Sequence, residues 1–289
     1  MAYKGHTINP KTFDKGQIKI LLMILPMVLL TGLPIVFIFF HAFKPMEELF
    51  AFPPKFITTN PTFDNFRQLF KASRSAGIPL SKYVFNSLLI TGAVVFSSLI
   101  LTTAAAYSLS KLKYKGRNML FTINQVAIMF VPVAVMIPRY LVVNVLGMTN
   151  SYWAQILPLI PLPVALFLVK QFVDQVPDSL IEAAYMDGAK ELQIYTKVII
   201  PLIKPAAVTA FILMFQNLWT NTGSSYIYKE NLKNVGYMIS QIASGSNVGV
   251  ARAGVLAAAS VIMFSIPCAV FLMMQTNVIS TMATSGMKE

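Results

Sequence analysis

The chain has 289 residues, of which 56% are hydrophobic and 12% charged, and its net charge is +12 at pH 7. A soluble domain carries about 25% charged residues. With a mean hydropathy of +0.64, these values exclude a soluble enzyme, a disordered chain and a secreted disulfide scaffold. Cys268 is the one cysteine and His6 and His41 are the only histidines, so no internal disulfide and no His- or Cys-based metal set is available.

About 20 mostly apolar residues cross a bilayer, and charge-free runs of that length recur along the chain. After a polar tail over residues 1–19 comes Ile20–His41, bounded by Lys19 and Lys44. No small-x-small cleavage site follows it, so it is read as a retained anchor and not a signal peptide. The next runs are Tyr83–Ser110, Asn118–Pro138, and Tyr140–Val169 with its apolar part from Tyr152. Pro205–Tyr228 and Ala253–Met287 follow, the latter apolar to near Met274. Together they predict an all-α integral membrane protein whose residues 20–289 form one domain of six transmembrane helices.

Basic residues in short loops mark the cytoplasmic side. Lys4, Lys11, Lys15 and Lys19 stand in the tail, and Lys111, Lys113, Lys115 and Arg117 crowd together after the second run. One hairpin separates the two groups, so they agree, and six spans place both termini in the cytoplasm. The outer loop from Phe43 to Lys82 carries six Lys or Arg, but its length weakens the rule. Part of the positive charge is read as contact with anionic inner-leaflet lipid. The basic residues are scattered among membrane ends, which argues against nucleic-acid binding.

The segment Lys170–Lys204, 35 residues long, is cytoplasmic by this topology and holds five of the eleven acids: Asp174, Asp178, Glu182, Asp187 and Glu191. A loop of that length needs a structure or a function of its own. It reads as two short helices around a glycine. Ser179 and Glu182 have the spacing of a capping box, and Leu180, Ala183 and Ala184 recur at helical spacing. Gly188 suits the left-handed residue that ends a helix. Leu192, Tyr195, Val198 and Ile199 share one face of a second helix, which Pro201 limits. Such a pair either packs on its own bundle or docks a cytoplasmic partner. In the second case Ala183 and Ala184 admit close approach, and Leu192 and Tyr195 are anchors.

The order Glu182-Ala183-Ala184, Asp187-Gly188-Ala189, Ile199, Pro201 and Pro205 resembles the EAA loop of bacterial ABC importer permeases. Phe43-Lys44-Pro45, Asn86-Ser87-Leu88, Ala105-Ala106-Tyr107, Ile137-Pro138 and Thr284-Ser285-Gly286-Met287-Lys288 are similar to the carbohydrate branch of that family. Within the branch, the chain resembles the second, six-helix permease of maltose-type oligosaccharide importers. The resemblance implies the type I importer permease fold in the bacterial cytoplasmic membrane. It implies a heterodimer with a second homologous permease, two ATPase domains docked on Glu182–Pro205, and an extracytoplasmic solute-binding protein. It assigns ATPase coupling to Glu182, Ala183, Ala184, Asp187, Gly188, Ala189, Leu192, Tyr195 and Pro201. ATP and magnesium then belong to the ATPase subunits. The chain itself has no Walker A pattern, and is assigned no cofactor, metal or catalytic residue. In helix 5 it reads Gln216-Asn217-Leu218-Trp219 where the branch commonly has Trp-Asn-Glu, which points away from simple maltose-like specificity.

No Asp or Glu falls inside a predicted span. Ion-coupled transporters carry such acids, so this favours transport powered by another subunit over a self-contained channel or secondary transporter. The polar candidates inside spans are Asn124 and Gln125 in helix 3, and Gln216, Asn217, Thr220 and Asn221 in helix 5. Helical spacing places Gln216 near Trp219 and Thr220, and Asn217 near Asn221. An amide patch beside an indole suits sugar hydroxyls and sugar faces, and it equally suits hydrogen bonds to a neighbouring helix. Both readings stay open here. Pro132, Pro138, Pro158, Pro161 and Pro163 interrupt helices 3 and 4, and Tyr152 and Trp153 suit an aromatic belt. The outer loops hold ten Lys or Arg against four acids, which leaves both anionic and neutral oligosaccharides as substrates.

The topology has a direct test in a variant lacking Cys268. Single cysteines placed between Lys111 and Arg117 should resist an impermeant thiol reagent applied from outside, and those placed between Phe43 and Lys82 should react. The reverse labelling would overturn the orientation.

Overall fold

The computed structural model describes residues 16–75, 77–131, 133–222, 226–244 and 250–286, and among them every regular element is a helix. In chain order these are α1 (Gly16–Ala42), α2 (Met46–Leu49), α3 (Asp64–Ser75), α4 (Leu80–Lys111), α5 (Arg117–Met129), α6 (Met136–Val145) and α7 (Tyr152–Ile156). There follow α8 (Pro163–Asp174), α9 (Asp178–Met186), α10 (Glu191–Ile194), α11 (Ile200–Leu202), α12 (Lys204–Trp219), α13 (Val235–Ser244) and α14 (Val250–Gly286). Three helices, over Ile18–Ala42, Leu80–Lys111 and Arg252–Gln275, are continuous, long and apolar enough to cross a membrane. Two bent pairs raise the number to as many as five: Tyr152–Leu159 with α8, bent by 42°, and Glu191–Leu202 with α12, bent by 77°.

Proline chemistry explains where the predicted runs break. The run Asn118–Pro138 is interrupted after Met129. Phe130 is extended, with ψ 129°, and Val131 precedes Pro132, a position biased away from helix. The run Tyr152–Val169 breaks at Leu162, which Pro163 holds extended at φ −117° and ψ 94°. The predicted fifth helix stops at Trp219 instead of reaching Tyr228, because Thr220-Asn221-Thr222-Gly223 are poor helix formers. At the other end of the chain, Gly16–Lys19 already belong to α1 and not to the tail; the tail's first fifteen residues, like Met287 and Lys288, lie outside the described residues.

The chain divides into two compact units. The first comprises residues 1–69 and 247–261. Here Asn65 Nδ2 donates to the carbonyls of Ala42 (3.0 Å) and Lys44 (2.8 Å), closing the end of α1. A Cβ on Gly254 would lie 2.4 Å from Asn65 Oδ1, so only glycine admits this amide. Glu48 accepts hydrogen bonds from the Thr59 hydroxyl, the Thr59 N–H (3.1 Å) and the Asn60 N–H (3.1 Å). The Thr59 hydroxyl contributes most to holding the Glu48 carboxyl down at about 2. The buried Lys44 ammonium donates to the Lys55 carbonyl. The loop after α1 is therefore a built object and not a slack connector.

The second unit comprises residues 70–246 and 262–289. Its core gathers α4, α8 and α12 through Ile90, Val94, Val169, Val173, Met214 and Trp219. Along α4 the buried positions include Asn86, Ser87, Ser98, Thr102 and Thr103, and small residues of this kind let helices approach closely in lipid. Asn86 Nδ2 donates to the carbonyls of Asn231 and Lys233, both at 2.8 Å, and Gln155 Nε2 to that of Leu232 at 2.9 Å. The Val235 N–H donates to Ser87 Oγ at 2.9 Å. These bonds fasten residues 231–235 onto α4 and α7. Tyr152 donates to Asn86 Oδ1 at 2.8 Å and is part of this network, whereas Trp153 is exposed.

Pro267 lies inside α14. Having no N–H, it leaves the carbonyl four residues earlier, on Met263, without its helical donor. The Trp219 indole supplies one, with Nε1 donating to Met263 O at 2.8 Å. Its ring stacks on Phe215 at 5.7 Å and is 1% exposed. Trp219→Phe should therefore lower stability by about 0.6–1.7 kcal/mol, the span for hydrogen bonds between membrane helices. Pro267→Ala restores a backbone donor, so the cost of Trp219→Phe should shrink in that background. Unfolding titrations of the four proteins check this, and equal costs in both backgrounds would rule out the compensating role.

Candidate functional site

The loop between α8 and α12 holds three short helices, α9, α10 and α11. α9 begins at Asp178 with Pro177 as its cap residue, and no side chain caps it. Ser179 thus lies inside the first turn, and the predicted Ser179–Glu182 capping box does not form. Proline at the cap explains this, since its fixed φ of −60° already sets the chain's entry into the helix. The end of α9 follows the expectation. Gly188 has φ +76°, its N–H donates to Tyr185 O at 2.9 Å, and the Ala189 N–H donates to Ala184 O at 3.0 Å. This pair of bonds is the Schellman closure, and it satisfies carbonyls that a helix end otherwise leaves free. Asp187 is the residue just before the turn, and its N–H donates to Ala183 O at 3.0 Å.

Several contacts clamp the loop to its own bundle. Ile181, Ile194 and Ile199 are buried in the core, and Ala184 and Ala189 pack against it. A π turn over Tyr195–Ile199 separates Ile194 from Ile199 by five residues, which the wider turn brings to the same side. Lys111, the last residue of α4, donates to Val176 O (2.6 Å) and Asp178 Oδ1 (2.7 Å). Its hydrogen bond, and then its charge, hold the Asp178 carboxyl below the usual carboxylate range. Tyr195 turns inward: its hydroxyl lies 2.8 Å from Thr103 Oγ1 and its ring 5.7 Å from Tyr107. Tyr195 thus ties the loop to α4, whereas Leu192, the other expected anchor, is exposed. The outer surface of the loop carries Glu182, Ala183, Asp187, Leu192 and Pro201. Leu180, Met186 and Leu192 are exposed there, Met186 at 88% and Leu192 at 71%. The Tyr185 hydroxyl donates to the Glu191 carboxylate and braces α9 against α10.

The second candidate, on α12, separates into two faces. Phe215, Leu218 and Trp219 are buried, whereas Gln216, Asn217 and Thr220 are exposed. The side-chain amides of Gln216 and Asn217 have no partner among the described residues. Trp219 does not join them; its indole is committed to Met263. Asn221 is half-buried, and its carbonyl accepts from Asn234 Nδ2 at 2.8 Å. A Cβ on Gly236 would come within 2.5 Å of that carbonyl. Asn124 in α5 donates to Pro163 O at 3.1 Å and is an interhelical tie. Sequence reasoning missed Lys111, Asn86 and the Trp219–Pro267 pairing. For Lys111 a signal existed, since the acids of the loop need a cation near the membrane face. For the others none did, because their partners are backbone carbonyls.

The chain matches the family described as the binding-protein-dependent transport system inner membrane component over residues 98–283. The chain belongs to that family. It is therefore a multi-pass permease of the inner membrane and a transport subunit. The permease is 30% identical to the galactooligosaccharides transport system permease protein GanQ of Bacillus subtilis, over 86% of this chain and 87% of that one. It is 32% identical to the arabinooligosaccharides transport system permease protein AraQ of the same organism, over 72% of this chain and 74% of that one. Its fold is similar to a chain of a bacterial ABC transporter involved in the import of the acidic polysaccharide alginate. The TM-score is 0.77 at 21% identity, over 92% of this chain and 99% of that one. A second similar structure, with a TM-score of 0.56 at 17% identity over 89% and 94%, is of a bacterial alginate ABC transporter in complex with an alginate pentasaccharide-bound periplasmic protein.

Gly188 yields a test of the loop itself. A Cβ there meets nothing within 4 Å, so any penalty of substitution is conformational. A left-handed non-glycine residue costs about 1–2 kcal/mol; asparagine tolerates the region, and a β-branched residue does not. Gly188→Val should speed amide exchange through α9 and α10, and Gly188→Asn should retain most of the protection. Equal exchange in the two variants would dissociate the turn from the order of the loop.

Proposed function

We propose that the permease imports oligosaccharides as one of two homologous membrane subunits, coupled through Glu182–Pro205 to two ATPase domains and supplied by an extracytoplasmic solute-binding protein. The observation that carries this reading is the two-sided loop. One side is clamped to α4 and the core by Lys111, Ile194, Tyr195 and Ile199, and the other leaves Leu180, Met186 and Leu192 exposed. Apolar residues clustered on a solvent-facing surface call for a covering partner. A clamped loop passes a partner's movement to the helices and does not absorb it. Glu182, Ala183, Asp187 and Pro201 lie on the partner side, and Gly188 and Ala189 hold the turn. ATP and magnesium are bound by the partner subunits, consistent with the lack of a Walker A sequence in this chain.

In this reading six spans arise from α1, α4, α5 with α6, α7 with α8, α12 and α14, with both termini cytoplasmic. The oligosaccharide class is supported by what the relatives' names say they transport. The path residues are Gln216 and Asn217. Bare amides facing hydrocarbon are costly, so this face of α12 suits a wet path or the second permease. Trp219 and Asn221 support that face from behind. The ten Lys or Arg against four acids in the outer loops suit an anionic oligosaccharide and leave a neutral one equally open.

Uptake of labelled oligosaccharides into proteoliposomes holding the full complex tests this. Uptake should require ATP and be lost in Gly188→Val with the complex still assembled. Gln216→Ala and Asn217→Ala should alter uptake unequally among oligosaccharides, by about two- to twelve-fold for one lost hydrogen bond. Uptake by this chain alone, without ATP, would replace the proposal with a self-contained transporter.

A further inference from the structure

Four cations, Lys111, Lys113, Lys115 and Arg117, stand together where α4 ends. As markers of the cytoplasmic side they are interchangeable. The structure separates them. Lys113 and Lys115 are exposed, whereas the Lys111 side chain is 8% exposed. Its ammonium donates to Val176 O at 2.6 Å and to Asp178 Oδ1 at 2.7 Å. Val176 is buried in the link between α8 and α9, and Asp178 is the first residue of α9. A shielded ammonium needs oxygens around it, and this one finds them where the loop leaves the bundle. The Asp178 side chain is 76% exposed, so its ion pair is screened by solvent and the Val176 carbonyl is the firmer partner.

Lys111 also completes a stripe. Thr103, Tyr107 and Lys111 follow one another at intervals of four residues along α4, and so lie along one side of it. Thr103 Oγ1 is 2.8 Å from the Tyr195 hydroxyl, and the Tyr107 and Tyr195 rings are 5.7 Å apart. The loop is thus fastened to α4 by directional contacts at two places, at residues 176–178 before α9 and at Tyr195 after α10. Thr103 and Lys111 are about 12 Å apart at 1.5 Å per residue. A body fastened at one place pivots about it, and a body fastened at two places that far apart does not. The apolar contacts of Val176 and Ile181 with the core are non-directional and set no angle.

We infer that Lys111 is a positioning residue for transport: it fixes the angle of α9 against α4, so that a push on the exposed side of the loop reaches α4 and is not lost as bending in the link over residues 175–177. This rests on the coupling proposed for the loop and names the residue through which that coupling runs. Positive charge by itself does not supply the role, since Lys113 and Lys115 carry the same charge. Reach and donation to two oxygens on the far side of the link do.

The complete complex in proteoliposomes, given a labelled pool of neutral and uronic oligosaccharides, reports uptake and ATP hydrolysis together, and their ratio is the readout. Lys111→Met keeps the stem and removes the donor, and should lower uptake per ATP hydrolysed by about ten-fold, the shift for one lost hydrogen bond to a charged group. Lys111→Arg should keep most of the ratio, and Lys115→Gln should leave it unchanged. Spin labels on the exposed positions Leu101 in α4 and Met186 in α9, in a variant lacking Cys268, should give one narrow distance with Lys111 and a broad distribution in Lys111→Met. Amide exchange through α9 should stay as slow as in the parent, because the Gly188 turn is untouched. Lys111→Gln is the second variant should Lys111→Met fail to assemble. An unchanged ratio in a complex whose uptake needs ATP would overturn the role of Lys111 and leave the coupling of the loop standing, whereas uptake without ATP would remove both. Exchange through α9 as fast as in Gly188→Val would make Lys111 a support of the loop's folding, and equal losses in Lys111→Met and Lys115→Gln would reduce it to loop charge; either result overturns the inference.

Discussion

Hydrocarbon offers no hydrogen-bond partner, so every break in a membrane helix has to be answered from within the protein. Much of this structure follows from that constraint. Pro267 removes a donor from α14, and the Trp219 indole replaces it at Met263. The end of α1 is closed by the Asn65 amide, and the irregular segment after α12 is held by Asn86 and Gln155. The groups doing this are uncharged amides and an indole. A single amide can serve two carbonyls, as Asn65 and Asn86 each do. The buried side chains of Lys44 and Glu48 belong to the loop after α1, where backbone groups and a hydroxyl surround them.

The same economy of donors shapes the loop between α8 and α12. Its helices are too short to be stable alone. Their order comes from the Schellman closure at Gly188, from Ile181, Ile194 and Ile199 in the core, and from Lys111 reaching Val176 and Asp178. The segment that looks most like a flexible connector is thereby joined to α4 at several points. Its outward apolar residues are presented on a stiff support, which is what a contact that transmits force requires.

α12 shows how one helix divides its labour. The Phe215–Leu218–Trp219 side belongs to the core and to α14, and the Gln216–Asn217–Thr220 side is turned away from it. Adjacent residues in sequence thus take unrelated roles, because successive helical positions are about 100° apart. The tryptophan that a sugar-binding reading would select first is the one whose polar atom is already engaged.

The sequence by itself determined the class of protein, the positions of its apolar runs and the place of the α9–α11 loop with its glycine turn. These are local quantities: the length of a charge-free run, the basic cluster beside it, and the left-handed conformation that Gly188 adopts at φ +76°. Only the tertiary structure decided which way Tyr195 points and what Asn86 and Trp219 bind. Their partners lie 92, 145 and 44 residues away in the chain. No spacing rule reaches that far, and the backbone carbonyls that Asn86 and Trp219 bind have no residue type to announce them. Ser179 failed as a cap for the complementary reason: the pattern was local and correct in spacing, but Pro177 set the start of the helix one residue before it.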